Sequence, residues 1–315
     1  MTFIDIYGFV NYHPRRIIVF HVSFFYFNKR DYQLKNFYDS KNIQFWDELA
    51  QIHSGKSDYD IDNYDPWECK LKDIELAELG DLNNKRILHL QCHVGLDSFA
   101  LEVMGAEVTA VDYSAAAIDT ANAIKHKFGL KTNFYCANVY DLSELNLSDF
   151  DLIFTSYGVL VWLEHLNLWA NAIASHLKPG GELLLIDEHP VARMFSNPHQ
   201  DNAPLDSKAL FSPIQPGAPV KTNYKYSYAN EHRQIEHQEQ YVWFHSLSEI
   251  ITSLTNENLS ITAFREFDKT FYKAFSQLSQ HEDGWWRFNN TFSAIPLTFL
   301  LRAKKYEKKE WLCKS

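Results

Sequence analysis

The sequence predicts an α/β fold in which helices cover both faces of a mostly parallel, seven-stranded sheet, with an antiparallel hairpin inserted late in the chain. Three observations lead to this prediction. Short apolar segments alternate with segments whose apolar residues recur at helical spacing. The strand-like segments are apolar throughout, which is typical of parallel strands buried on both faces. A proline-rich stretch then separates this part from a run of alternating tyrosines.

The regular alternation begins near residue 65. Asp65-Pro66 predicts the start of a first helix, and Gly80 predicts its end. Ser114 is the expected cap of a later helix. The elements that follow the first helix are predicted in this order: strand 87–90, helix 96–103, strand 108–111, the helix capped by Ser114, strand 133–137, strand 151–155, a helix from Trp169 to Leu177 broken by Lys178-Pro179-Gly180-Gly181, and strand 182–186.

The last third of the chain has a different pattern. Five prolines between residues 196 and 222 indicate a loop. The alternating tyrosines from Tyr224 to Tyr228 are expected to pair with residues 238–244, with a turn near 229–233. The predicted sheet is then completed by a helix that a capping box opens at Ser246 and by two strands, at 261–267 and 295–303.

Five segments describe the expected domain organisation: an N-terminal arm at 1–40, a cofactor-binding core at 41–190, an insertion with loop and hairpin at 191–245, a C-terminal completion of the sheet with a lid at 246–305, and a basic tail at 306–315. The arm holds an apolar run, 17–27, that is too short for a bilayer core, which needs about 20 residues. Three interpretations of the arm stay open: an added or poorly ordered segment, a genuine strand or helix, and an export signal.

Composition narrows the class of protein. The 315 residues are 46% hydrophobic, which excludes global disorder, and the net charge of −10 argues against binding nucleic acid by general phosphate attraction. The four cysteines (Cys69, Cys92, Cys136 and Cys313) have spacings that suit neither a zinc site nor a disulfide framework. We therefore expect buried free thiols, a cytoplasmic location, no metal and no membrane association.

The most informative arrangement is a strand ending at Leu90, a loop over 91–95 and a helix. Backbone N–H groups in such a turn can face the polar end of a ligand. Asp112 ends the next strand, where a carboxylate can accept hydrogen bonds from ribose hydroxyls. Asn138 follows the third strand, where an adenine would lie. These positions predict a slot for an adenosine group.

The type of adenosine cofactor is narrowed by missing glycines. The G-x-G-x-x-G positions of a dinucleotide site are Gln91, His93 and Leu96, so a dehydrogenase is the less favoured alternative. The chain also has no GxxxxGK[ST] phosphate loop, which argues against an ATPase of that type.

Residues 85–190 resemble the class I S-adenosylmethionine-dependent methyltransferases. The stretch Leu88-His89-Leu90-Gln91-Cys92-His93-Val94-Gly95-Leu96-Asp97 is similar to a bacterial, small-molecule-type subgroup, although only Gly95 is left of the family's acid-x-G-x-G-x-G signature. Similar segments follow at Val108 to Asp112, Phe150 to Ile153 and Leu177 to Leu183. The resemblance implies a Rossmann-like sheet, S-adenosyl-L-methionine as cofactor, and in-line methyl transfer to a small molecule. A non-catalytic relative that uses an adenosyl ligand for sensing or scaffolding is the alternative.

The resemblance also implies site residues. The expected cofactor contacts are Gln91, His93, Gly95, Asp97, Asp112, Tyr113, Asn138, Val139 and Ser156. His189 and Tyr157 are weak candidates for a catalytic role. Gly95 is expected to let the loop approach the ligand, so that Gly95→Val would block binding without unfolding the chain.

Each of these residues also has a structural interpretation. Asp112 and Asp97 can be acids at helix starts, Asn138 a turn residue, Tyr157 a packing residue, His189 part of a local turn, and His89 a core histidine or a positioning residue behind the loop. Trp46, Trp162, Trp243, Trp285 and Trp286 are candidate lid residues. The protein is expected to act as a monomer or homodimer.

Overall fold

The computed structural model describes residues 29–54, 61–68, 71–195, 204, 209–212, 214, 218–227, 230–289 and 295–306. The chain divides into two compact units, Met1–Ser40 and Lys41–Ser315. In the first unit the described residues, 29–40, are helical. The apolar run 17–27, Cys69, Cys313 and the tail beyond residue 306 lie outside the described residues, and the predictions for them stay predictions.

Seven α-helices are seen in the described residues: α1 Lys29–Ser54, α2 Asp73–Leu79, α3 Leu96–Val103, α4 Ala115–Phe128, α5 Leu166–His176, α6 Pro190–Met194 and α7 Leu247–Asn256. The strands are β1 Arg86–Leu90, β2 Glu107–Asp112, β3 Asn133–Cys136, β4 Phe150–Ser156, β5 Leu177–Glu188, β6 Val220–Asn223, β7 Tyr226–Ser227, β8 Asn230–Gln234, β9 Glu239–Val242, β10 Leu259–Phe267, β11 Lys269–Thr270, β12 Leu278–Gln280, β13 Trp286–Phe288 and β14 Thr298–Lys305. Short 3-10 helices lie at Ile61–Asn63, Val139–Leu145 and Leu160–Trp162.

The central sheet has seven strands in the order β10-β14-β5-β4-β1-β2-β3. Strands β1 to β5 are parallel, and β14 runs antiparallel to both of its neighbours. The predicted fold class is therefore confirmed. The strand order reverses between β1 and β4, and ligands of such sheets bind in the crevice beyond the strand ends at that point.

Helices bury their apolar sides against the two faces of this sheet. One core joins Trp169 of α5 and Leu254 of α7 to the sheet, while the other joins Ile74 of α2 and Leu101 of α3 to it. The two cores contain alternate residues of the same strands, as burial on both faces requires.

Two helix starts agree with the sequence patterns. The hydroxyl of Ser114 accepts the backbone N–H of Ala117 at 3.1 Å, and that of Ser246 accepts the N–H of Glu249 at 3.1 Å. In each case the serine satisfies an N–H that the helix itself leaves unpaired.

The predicted start of the first helix is wrong. The carboxylate of Asp65 accepts the backbone N–H of Trp67 at 2.9 Å, which closes a turn instead of opening a helix. Helix α2 begins only at Asp73, although it ends before Gly80 as predicted.

The predicted hairpin exists but is divided in two. Strand β6 pairs with β9, and β7 pairs with β8, so Tyr224 and Tyr226 do not lie in one continuous strand, while Tyr228 lies outside the described residues. Residues 230–233, which were expected to form the turn, belong to β8, and residue 229 lies outside the described residues.

The cysteine prediction is half right. Cys92 is a buried free thiol, whereas Cys136, in the last position of β3, is an exposed one. The end position of an edge strand exposes a side chain that an apolar pattern alone would place inside.

Candidate functional site

The loop after β1 adopts a backbone that usually favours glycine. Gln91 and His93 have positive φ angles of 55° and 49°. The loop is fixed to the end of β2 twice, because the N–H of Cys92 donates to the Val111 carbonyl at 3.1 Å and the N–H of His93 donates to Asp112 Oδ2 at 2.8 Å. The loop therefore forms this turn although neither Gln91 nor His93 is a glycine.

Asp112 connects the end of β2 to the loop after β1 and to the start of α4. Its second oxygen, Oδ1, accepts the N–H of Ser114 at 2.9 Å, next to the start of α4. Burial raises the pKa of this carboxyl to about 6, against the opposing effect of the backbone hydrogen bonds. An ionised carboxylate has about four acceptor positions, and the backbone N–H groups of His93, Ser114 and Tyr113 occupy three of them, so one remains for a ribose hydroxyl.

Three other predicted cofactor contacts have structural roles in the described chain. Asn138 Oδ1 accepts the N–H of Tyr140 at 3.1 Å and caps the 3-10 helix Val139–Leu145. The Val139 side chain packs in the core on the α5 side of the sheet. Tyr113 follows Asp112, and its carbonyl accepts the thiol of Cys136 at 3.6 Å.

Gly95 is required by packing, which corrects the expected reason for it. A Cβ built there would lie 2.7 Å from ring carbons of Phe134 and 3.3 Å from the Ala121 Cβ. Its φ of 79° also disfavours a side chain. A Gly95→Val variant would therefore strain the fold itself, contrary to the sequence-based expectation that it would spare it.

The His93 side chain takes part in a contact that sequence reasoning missed. His93 Nε2 lies 2.8 Å from His53 Nδ1 of α1, and His53 Nε2 lies 3.0 Å from the hydroxyl of Ser227 in β7. Burial lowers the pKa of His93 to about 4 and that of His53 well below its usual value. Nothing in the local pattern around either histidine indicates this pairing.

Aromatic residues surround the same loop. The Trp46 ring lies 5.3 Å from the His93 ring and 5.2 Å from Trp162, both edge to face. Trp46 and Trp162, two of the candidate lid residues, thus lie beside the loop after β1. Trp285, by contrast, is 1% exposed and packs in the core between the sheet and α2, so it is not a surface lid residue.

A group of acids lies near the ends of β1 and β4. Ser156 donates to Asp97 Oδ2 at 3.4 Å, and burial raises the pKa of Asp97 to about 6. Glu75 of α2, which sequence reasoning missed, is 1% exposed. Burial, and then the charge of Asp97, raise the pKa of Glu75 to about 7, while the Tyr157 hydroxyl lies beside it.

His89 is the core histidine that the structural interpretation described. It is 2% exposed, its Nδ1 lies 2.7 Å from the Ser98 hydroxyl, and its ring contacts Phe154. Burial lowers its pKa to about 3.

His189 has a structural role at the start of α6. Its Nδ1 accepts the N–H of Val191 at 3.1 Å, which caps α6, and its Nε2 lies 2.9 Å from Glu266 Oε1. Both ring nitrogens are therefore engaged, so the suggestion of His189 as a base is not retained.

The end of β5 carries further buried charge. Asp187 accepts the N–H groups of Gly158 at 2.5 Å and Leu160 at 2.9 Å, which fixes the segment after β4. Glu188 pairs with Arg193 of α6. This pair lines a cavity of about 20 Å³ together with Trp243, room for about one water molecule.

Among the described residues there is no group of three or more potential metal ligands. None of their helices is both long and apolar enough to cross a bilayer.

A family model described as a methyltransferase domain matches residues 88–183, from β1 into β5. This part of the chain is therefore similar to a methyltransferase domain. The matched segment includes the loop after β1, the carboxylate that ends β2 and the residues that follow β4. These are the parts that the structure brings together at the reversal of the strand order.

Curated relatives match a part of the chain. The chain is similar to a ubiquinone biosynthesis O-methyltransferase of Nitrosococcus oceani, with 31% identity over 120 residues that cover 36% of this chain and 49% of the relative. Another, from Alkalilimnicola ehrlichii, is 30% identical over 147 residues, covering 42% of this chain and 58% of the relative. The chain thus spans about half the length of the curated relatives it matches.

Solved structures share the fold more widely. An S-adenosylmethionine-dependent methyltransferase from Clostridium acetobutylicum superposes with a TM-score of 0.51 at 16% identity, covering 82% of this chain and 98% of that one. One from Mesorhizobium loti gives a TM-score of 0.50 at 17% identity, covering 74% and 96%. At such identities the likeness establishes the Rossmann-like methyltransferase fold and nothing further.

Proposed function

We propose that the protein is an S-adenosylmethionine-dependent methyltransferase that transfers a methyl group to a small-molecule acceptor. The observation that carries this proposal is the match of residues 88–183 to a methyltransferase domain, a segment whose loop after β1 is hydrogen-bonded to Asp112 at the end of β2. A carboxylate fixed at this place can receive a ribose hydroxyl while it holds the loop.

The residues present fit the cofactor chemically. Gln91 donates through Nε2 to the Val159 carbonyl at 2.9 Å, while its Oε1 is buried and has no hydrogen-bond partner among the described residues. That oxygen and Asp97 are acceptors suited to the ammonium group of the methionine part. Asp112 suits the ribose, and the backbone around Tyr113 and Asn138 would border the adenine.

The cofactor supplies an activated methyl group on a sulfonium. The residues of this chain contribute position and exclusion of water, which are the main demands of an in-line displacement. Gln91, His93 and Gly95 form the loop that would contact the cofactor from the end of β1, and Ser156 and Tyr157 would contact it from the end of β4. No residue is assigned as general base, because His189 is engaged in capping α6.

The experiment is calorimetric titration with S-adenosylmethionine, followed by incubation with small metabolites and mass spectrometry for the gain of one CH2. Binding followed by methylation of a metabolite supports the proposal. Failure to bind the cofactor at millimolar concentration would reject it. Binding with no methylated product from a broad metabolite collection favours the alternative of a non-catalytic adenosyl-binding protein.

That alternative has one observation in its favour. His93, where the family has glycine, turns its side chain toward His53 and Trp46. A cytoplasmic location, a monomeric or homodimeric state and a lack of nucleic-acid partners stay proposals alongside the main one.

A further inference from the structure

A small recess lies at the carboxyl end of β5, next to the segment that follows β4. Its lining includes Leu160 after β4, Glu188 at the end of β5 and Arg193 of α6. The enclosed volume is about 20 Å³, which is room for one water-sized group. The recess is partly open, and four further lining side chains are partly exposed: Val161, Met194, Phe211 and Phe244.

The recess lies beside the loop that is proposed to bind the cofactor. Gln91 of that loop donates through Nε2 to the Val159 carbonyl at 2.9 Å, and Leu160, the next residue, lines the recess. The N–H of Leu160 donates to Asp187 at 2.9 Å, which fixes this segment at the end of β5. Because one chain segment touches both places, an acceptor with one end in the recess lies close to the proposed cofactor site.

The recess holds a guanidinium whose charge is already balanced. Arg193 forms an ion pair with Glu188 through Nε. The two terminal nitrogens of the guanidinium carry the remaining N–H donors of this side chain. Among the described residues no acceptor is hydrogen-bonded to these terminal nitrogens. Arg193 can therefore donate hydrogen bonds to a ligand although its positive charge has a partner.

The other titratable side chains of the lining are engaged in contacts within the chain. Asp187 accepts backbone N–H groups through both of its oxygens. His245 Nε2 lies 2.6 Å from the Leu163 carbonyl oxygen, and its Nδ1 lies 3.3 Å from a Glu249 oxygen. The terminal nitrogens of Arg193 are thus the charged donors that the recess offers to a ligand.

Aromatic side chains form one wall of the recess. The ring centroids of Phe211 and Phe244 lie 4.6 Å apart, with the ring planes inclined by 33°. The Trp243 side chain lines the same space. Aromatic rings bind other flat, unsaturated groups by offset stacking, so this wall favours a planar ligand.

We propose that the recess binds one uncharged oxygen of a planar acceptor molecule, with Arg193 as the hydrogen-bond donor and Glu188 as the residue that rejects carboxylates. The ligand oxygen takes the place of one water molecule. A ligand carboxylate would add negative charge next to Glu188, and one guanidinium does not balance two buried carboxylates. The expected acceptors are planar molecules with a ketone, aldehyde or amide carbonyl. This inference rests on the proposed methyltransferase function and adds to it the chemistry of the acceptor.

The test uses two probes of equal size that differ in charge. Acetophenone carries a carbonyl oxygen and a methyl group where benzoate carries a carboxylate. Both probes are titrated, by ligand-observed NMR, into wild-type protein saturated with S-adenosylhomocysteine. Acetophenone should bind about tenfold more tightly than benzoate, because benzoate adds a charge that the recess does not balance.

Glu188→Gln should reverse this preference. Once the charge of Glu188 is removed, the guanidinium of Arg193 is free to pair with a ligand carboxylate. The affinity for benzoate relative to acetophenone should therefore rise about tenfold or more. Glu239→Gln is the matched control, since Glu239 also pairs with a basic residue, Lys221, but does not line the recess. It should leave the preference unchanged.

Arg193→Lys tests the same contact if Glu188→Gln does not fold. Lysine keeps a positive charge beside Glu188 but lacks the planar guanidinium and its two terminal nitrogens. The affinity for acetophenone should fall about tenfold, because the hydrogen bonds to its carbonyl oxygen are lost. Thermal melting shows which variants are folded.

The outcomes separate this inference from the proposed function. If neither S-adenosylmethionine nor S-adenosylhomocysteine binds the wild type, the proposed function fails, and the probes are titrated into the free protein to test the recess alone. The recess proposal is overturned if the wild type binds neither probe at millimolar concentration or binds benzoate as tightly as acetophenone. It is also overturned if a folded Glu188→Gln or Arg193→Lys variant keeps the wild-type affinities. Cofactor binding together with any of these results leaves the methyltransferase proposal standing.

Discussion

The carboxylate of Asp112 accepts a hydrogen bond of 2.8 Å from the backbone N–H of His93. One residue ends β2 and the other lies in the loop after β1, so this bond fixes the distance between the two parts of the proposed cofactor site. The same carboxylate accepts the N–H of Ser114 at 2.9 Å. Asp112 is therefore both a structural and a candidate binding residue, and its replacement should affect both properties.

We expect Asp112→Asn to weaken binding of S-adenosylmethionine by about 1–3 kcal/mol, because charge-assisted hydrogen bonds are lost. The melting temperature should also fall, since an amide replaces one of the two acceptor oxygens with a donor. Calorimetry and thermal melting measure the two effects. Asp119→Asn, on the exposed side of α4, is the control and should change neither. An unaltered dissociation constant for Asp112→Asn would mean that the ribose lies elsewhere.

Gly95→Ala should destabilise the fold by about 1–3 kcal/mol, because the new Cβ would overlap the Phe134 ring at 2.7 Å. Gly129→Ala is the matched control: its φ of 69° is similar to the 79° of Gly95, but nothing lies within 4 Å of its Cβ position. Urea unfolding of both variants isolates the cost of the overlap. Equal losses of stability would show that backbone conformation alone requires glycine at residue 95.

The buried histidine pair predicts loss of stability in acid. Burial lowers the pKa of His93 in the folded state to about 4, so the unfolded state binds more protons between about pH 4 and pH 6.5. The contribution of a neutral His93 is complete above pH 6.5 and declines as the pH falls toward 4. From pH 7 to pH 5 this single group should cost about 2 kcal/mol of unfolding free energy.

His93→Asn tests this pH dependence, because asparagine tolerates the positive φ of 49° and does not titrate. Urea unfolding at pH 7 and pH 5 should show a smaller difference for the variant than for the wild type. His126→Asn, in the last turn of α4, serves as control. A pH dependence identical in His93→Asn and wild type would contradict the assignment.

The Glu188–Arg193 pair is expected to stabilise the end of β5 only as a pair. Replacing one partner, as in Arg193→Met, leaves a buried charge and should cost about 3–5 kcal/mol. The double variant with Glu188→Gln should recover part of that loss. For comparison, Lys221→Met in the more exposed Lys221–Glu239 pair should cost at most about 1 kcal/mol. Additive losses in a double-mutant cycle would show that the two side chains act independently.

Much of the fold follows from local sequence. The apolar strands, the helical periodicity and the serine caps depend on residues within a few positions of one another, so the pattern predicts the sheet and the helices around it. The error at residue 65 has the same origin, because Asp65 and Pro66 are equally compatible with a turn and with a helix start. Whether such a segment forms the turn or the helix start depends on the residues that pack against it in the folded protein.

The parts of the candidate site that lie at the carboxyl ends of the strands could be predicted from the sequence. The loop over 91–95 and Asp112 lie together because the carboxyl ends of parallel strands meet at one edge. The role of Gly95 was not predictable, since it depends on the Phe134 ring of a strand that enters the sheet later.

The sequence by itself determined the class of fold, the strand that carries the loop and the acid that ends the next strand, because periodicity and capping are short-range properties. Only the tertiary structure decided that His53 meets His93 across 40 residues, that Glu75 is buried near Asp97, and that His189 caps a helix. Burial of apolar residues brings segments that are distant in the sequence into contact. The polar groups on these segments then form hydrogen bonds with the groups that packing places beside them.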